Sequence, residues 1–144
     1  MFVADTNVLV YAANADAPEH AACWPLVEGW RARTEPWHVT WGILYEFLRV
    51  TTHPDVFATP FTASQAWSFI NALLAAPGLR VLGETGRHLG VLAELLDEMP
   101  QLEGNAFHHA HIAALMREHG IRRIVTRDTD FHRYSFLEVI DPLA

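Results

Sequence analysis

At 144 residues the chain is long enough for one well-packed core, and a hydrophobic content of 51% excludes a disordered polymer. The formal charge is −7 with histidine neutral and all 10 basic residues are arginine. A broad basic face for nucleic acid is therefore excluded, and any such contact must be local, helped by cations or made by an oligomer. No apolar run nears the roughly 20 residues that span a bilayer, the start reads as a strand rather than a signal region, and Cys23 as the single cysteine rules out an internal disulfide and a cysteine-based zinc site. The expectation is a cytoplasmic protein with no membrane contact, folded as a single domain over 1–144.

Phe2-Val3-Ala4 reads as a short buried strand that ends on Asp5, with a helix following at once through Val8 to Ala13. Pro18 opens a second helix running to about Arg33, which Pro25 should break or kink because proline lacks the donor N–H and crowds the preceding turn. Trp37 to Thr40 is a strand, and Trp41 to Val50 is apolar at a helical period, with Gly42, Glu46 and Arg49 as its polar stripe. Thr52 to Pro60 is a loop. Thr62 caps a helix over 63–76, stopped by Pro77-Gly78, and Leu79 to Leu82 is a strand. Thr85 or Gly86 opens a helix to about Met99, and Asn105 caps another that ends at Gly120. Ile124 to Thr126 and Leu137 to Ile140 are the last strands. Strands that alternate with helices in this way predict a parallel sheet covered by helices on both faces.

Several residues have both a structural and a chemical reading. Asp5 is a good N-cap, yet it also stands at the carboxyl end of a strand, where ligands gather in open α/β sheets. Glu46 is either a solvent-facing partner of Arg49 or an acid aimed into a site. Asp128 and Asp130 flank one residue after a buried strand; they either cap the turn at Phe131 to Tyr134 or join Asp5 as a cation site. His108, His109 and His111 open a helix but cannot all face one way. No glutamate lies between His108 and His111, so the helical zinc-protease pattern is absent. The other histidines, including His132, are read as surface or partner-facing residues. An aspartyl phosphotransferase is disfavoured by Asn7 two residues after Asp5 and by the lack of lysine, and a dinucleotide site by the lack of a glycine-rich first turn.

Asp5-Thr6-Asn7-Val8-Leu9, Glu46 within an apolar helix, His109-Ala110-His111-Ile112-Ala113-Ala114 and Thr126-Arg127-Asp128-Thr129-Asp130-Phe131 together resemble the PIN domain, and most closely the VapC ribonuclease toxins of bacterial toxin–antitoxin pairs. The resemblance spans almost the whole chain. It implies a three-layer α/β/α sandwich with a central, mainly parallel sheet. It further implies an endoribonuclease that uses Mg2+ or Mn2+, with Asp5, Glu46 and Asp128 as catalytic acids. Asp5, Glu46, Asp128 and Asp130 match the metal-holding acids, while Thr6, Asn7 and Thr126 match residues that orient the acids or the scissile phosphate. The implied partners are RNA, a cognate antitoxin with a basic or arginine-containing tail, and a second copy in a homodimer.

One position departs from the family pattern. His109 stands where the family has an aspartate, which removes a negative charge and offers imidazole instead of a hard oxygen ligand to the metal set. The alternative reading is therefore a catalytically weakened binding module that keeps the fold and the antitoxin partner.

Overall fold

The first strand, β1 (Val3–Ala4), lies in the middle of a five-stranded sheet of order β3-β2-β1-β4-β5, with β2 Trp37–Thr40, β3 Leu79–Leu82, β4 Arg123–Val125 and β5 Glu138–Ile140. Every pairing in the computed structural model, which describes residues 1–144, is parallel. Val3 faces His38 on one side and Ile124 on the other. The chain builds outward from β1 through β2 and β3, then returns to add β4 and β5 on the opposite side. The strand order therefore reverses between β1 and β4, the point at which such sheets form a crevice beyond their carboxyl ends.

The helices are α1 (Thr6–Ala13), α2 (His20–Ala32), α3 (Trp41–Thr51), α4 (Ala63–Leu74), α5 (His88–Glu98) and α6 (Ala106–His119), with a 3₁₀ turn at Thr129–Arg133. All four residues of β2 are buried, as expected of a strand covered on both faces. A cluster of 36 buried hydrophobic residues fills the space between sheet and helices. In α6, Ala110, Ala113 and Ala114 are buried beside Ile112 and Met116, and their small side chains let this helix approach closely.

Local signals set most boundaries. Thr62 and Gln65 form a reciprocal capping box at the start of α4. Gly120 ends α6 with φ 68°, a left-handed conformation that favours glycine. Four expected features differ. Asn105 makes no capping hydrogen bond and is itself helical in backbone, and α5 begins at His88 rather than at Thr85 or Gly86. Helix α2 runs unbroken through Pro25, which lies on the solvent side, so water can serve the carbonyl that proline leaves without a donor. His38 is also buried, in β2, where its Nδ1 lies 3.1 Å from the Phe2 carbonyl oxygen. No helix is long and apolar enough to cross a membrane.

Candidate active site

Asp5 leaves β1 with its backbone N–H still bonded to Val125 of β4, so the carboxylate is fixed at the crevice between the two strands. Its two readings coincide. Oδ1 accepts the Thr6 N–H at 2.7 Å and caps α1, while Oδ2 accepts the Thr126 hydroxyl at 2.7 Å and the Asn7 amide at 3.0 Å. Thr126 is the hub of this arrangement: its oxygen also accepts from Asn7 Nδ2 at 3.0 Å and from the Asp128 N–H at 2.9 Å. Asn7 in turn accepts the Arg127 N–H at 3.1 Å. The Thr6 hydroxyl does not reach the acids; it donates to the Ile43 carbonyl at 3.2 Å and ties α1 to α3.

Asp5, Thr6, Asn7, Glu46, His109 and Asp128 line one cleft of about 340 Å³. Asp130 does not line it. Tyr11 and His108 do, although Tyr11 does not stand out in the sequence and His108 does so only in a zinc-protease pattern that is absent. Tyr11 is four positions after Asn7 on α1 and so shares its face, the one sequence signal that could have flagged it.

The three cleft acids share the space but are not drawn to one point: their oxygens do not all lie within 4.8 Å of one another. Each is held by its own neighbour. Glu46 is paired with Arg49, which donates through Nε at 3.0 Å and also through Nη2. Asp128 accepts the Asp130 N–H at 2.9 Å and so caps the 3₁₀ turn as well. His109 spans the remaining two acids, with Nε2 3.1 Å from Asp128 and Nδ1 2.8 Å from Asp130; Arg133 approaches the other Asp130 oxygen at 3.3 Å. Its ring also rests on Phe131, 4.6 Å between centroids.

Burial pushes the Asp5 carboxyl above the ordinary aspartate value of 3.8, and the hydrogen bonds from Thr126 and Thr6, with the nearby His109 and His108, oppose this without cancelling it. Glu46 moves the other way. The hydrogen bond from Arg49 holds it below its ordinary 4.5 against the effect of burial. A buried carboxylate served only by uncharged hydrogen-bond donors, with further acids facing it across a cleft, fits a hard divalent cation that prefers oxygen ligands. His109 is the one member of the wall that does not fit that set.

The PIN domain family model matches residues 2–137. Ribonuclease VapC43 of Mycobacterium tuberculosis is 35% identical over 143 residues, which cover 99% of this chain and 96% of that protein. Among solved structures, VapC20 of the same organism, described as a sarcin-ricin loop cleaving toxin, superposes with a TM-score of 0.69 at 22% identity, covering 98% of this chain and all (100%) of that one. A toxin-antitoxin complex from Klebsiella pneumoniae gives a TM-score of 0.62 at 15% identity, over 99% of this chain and 98% of that one. The chain belongs to the PIN-domain family and, within it, to the VapC group.

Proposed function

We propose that this chain is a metal-dependent endoribonuclease that acts as the toxin of a toxin–antitoxin pair. The observation that carries the proposal is the shared cleft: Asp5, Glu46 and Asp128, from three distant stretches of sequence, face one solvent-filled space at the strand-order reversal. The ribonuclease name of VapC43, at 35% identity, supports the same reading.

In this proposal Asp5 and Asp128 would hold Mg2+ or Mn2+, with Glu46 directly or through water. When bound, the cation supplies positive charge at the scissile phosphate and lowers the pKa of a coordinated water. The Thr126 hydroxyl and the Asn7 amide keep Asp5 aimed into the cleft. Glu46 orients the attacking water and accepts its proton; Arg49 keeps the carboxylate ionised and so able to accept, while lowering its basicity. Attack by water on the phosphate leaves a 5′-phosphate and a 3′-hydroxyl. Asp130 acts from behind the wall by anchoring His109. The test is cleavage of RNA with Mn2+ by the native chain and by Asp5→Asn; equal cutting by both refutes the proposal.

The acidic cleft and the net charge of −7 suit an antitoxin that inserts a basic or arginine-containing tail. We also propose a homodimer. Trp41, Tyr45 and Trp67 are exposed and line an apolar groove of about 350 Å³ between α3 and α4, the kind of surface that assembly covers. Size-exclusion mass measurement tests this, and the mass of one chain refutes it. We further propose that the protein acts in the cytoplasm as a single domain over 1–144.

A further inference from the structure

We propose that Glu84, His88 and His111 form a second metal site, selective for a transition ion of the zinc class and separate from the acid cleft. One ligand atom from each of the three residues lies within 4.8 Å of the other two. They come from three places: Glu84 from the connection after β3, His88 from the first position of α5, and His111 from the middle of α6. None of them lines the cleft. Two imidazoles and one carboxylate form the donor set of an open tetrahedral zinc site, with the fourth position left to water. Magnesium has no use for such nitrogen-rich coordination, whereas zinc and its first-row neighbours do.

A second observation points to a ligand. The side chain of Glu118 on α6 is fully buried, with 0% exposure, and its Oε2 lies 2.6 Å from Nδ1 of His88. The other oxygen accepts the N–H and the hydroxyl of Thr85, each at 2.9 Å. No lysine or arginine side chain pairs with this carboxylate. Behind a metal-binding histidine, such a carboxylate accepts the Nδ1–H hydrogen bond, fixes the tautomer and presents Nε2 as the free lone pair. Thr85 fixes Glu118 in turn, so the supporting shell is built before any ion arrives. His111 Nε2 and Glu84 Oε1 already meet at 2.7 Å, so the ion would replace a contact between two of its own ligands. An ion here would clamp the connection between β3 and α5 onto α6, the helix that also carries His109.

The experiment uses the untagged full chain carrying Asp5→Asn, stripped of metal and titrated with Zn2+ alone by calorimetry. Weakening the cleft in this way keeps its own cation affinity out of the measurement, and no RNA cleavage is read, so this proposal and the nuclease proposal stand or fall separately. The expected result is one equivalent of zinc. Co2+ in its place should give the strong visible absorption of a four-coordinate ion. Glu84 is exposed, so Glu84→Gln leaves the fold intact and should weaken zinc binding at least tenfold, as should His111→Asn. Glu118→Gln should weaken it by about 10–100-fold through His88 alone. Absence of zinc binding, weak six-coordinate cobalt absorption, or affinity unchanged by Glu84→Gln and His111→Asn would overturn the proposal and leave two structural histidine–carboxylate pairs.

Discussion

Nε2 of His109 lies 3.1 Å from Oδ2 of Asp128, so the histidine expected in place of a family aspartate sits against one of the cleft acids. Its other nitrogen faces Asp130. A cation entering between Asp5 and Asp128 must therefore compete with an imidazole whose two nitrogens already face two carboxylates. His109→Asp removes that competitor and restores a charge. We expect divalent binding to tighten at least tenfold by calorimetry, with a parallel gain in Mg2+-dependent RNA cleavage. A gain of this kind identifies a weakened enzyme; no gain beside strong native cutting identifies a tolerated exchange.

Asp5→Asn should abolish cleavage, by about 100-fold or more, since it removes a charge that no neighbour replaces. Its effect on stability should have the opposite sign at neutral pH. The folded-state value of Asp5 is raised above 3.8, so the folded chain keeps this proton to higher pH than the unfolded chain does. Stability from Asp5 is then full below 3.8 and is lost as pH rises through the raised folded value. Melting temperatures followed upward from pH 4 should fall for the native chain relative to Asp5→Asn, and added Mn2+ should narrow the gap.

Arg49 is mostly exposed, and its pairing with Glu46 should contribute less than about 1 kcal/mol to stability. Its effect on Glu46 should be clearer. Without the guanidinium, Glu46 rises from its lowered value toward 4.5 and gains its proton at higher pH. Arg49→Ala should therefore move the acid limb of the cleavage profile to higher pH with little change in melting temperature. An unmoved limb would remove Glu46 from the proton-transfer role.

Thr126→Val deletes a buried hydroxyl that donates to Asp5 and accepts from Asn7 and Asp128. The Asp128 N–H loses its side-chain acceptor, and the Asn7 amide keeps only Asp5. A loss of about 1–3 kcal/mol is expected in denaturant titration, together with reduced cleavage as Asp5 loses its alignment.

Gly78 tests the fold rather than the site. A Cβ at this position would run into the carbonyl of Glu35 and the backbone of Arg33, which cannot move aside as a flexible side chain would. Gly78→Ala should destabilise by about 1–3 kcal/mol, read from the denaturant midpoint.

Much of this protein is legible one short stretch at a time. The alternation of strands and helices, the Thr62 cap, the Gly120 stop and the position of Asp5 at the end of the first strand depend on residues within a few places of each other. Local hydrogen bonds and side-chain periodicity suffice to encode them. Asp128 and Glu46 were legible as candidates for the same reason, since one follows a buried strand and the other interrupts an apolar helix face.

What the sequence by itself determined is thus the order of elements and which acids stand at the sheet's edge. The tertiary structure alone decided where those side chains turn. His109 meets Asp130 from 21 positions away, His88 meets Glu118 across 30, and His111 meets Glu84 across 27. Asn105, locally a good cap, caps nothing. Pairing of this kind is set by how helices seat against one another and against the sheet, because a hydrogen bond forms only where packing has already brought both partners within about 3 Å.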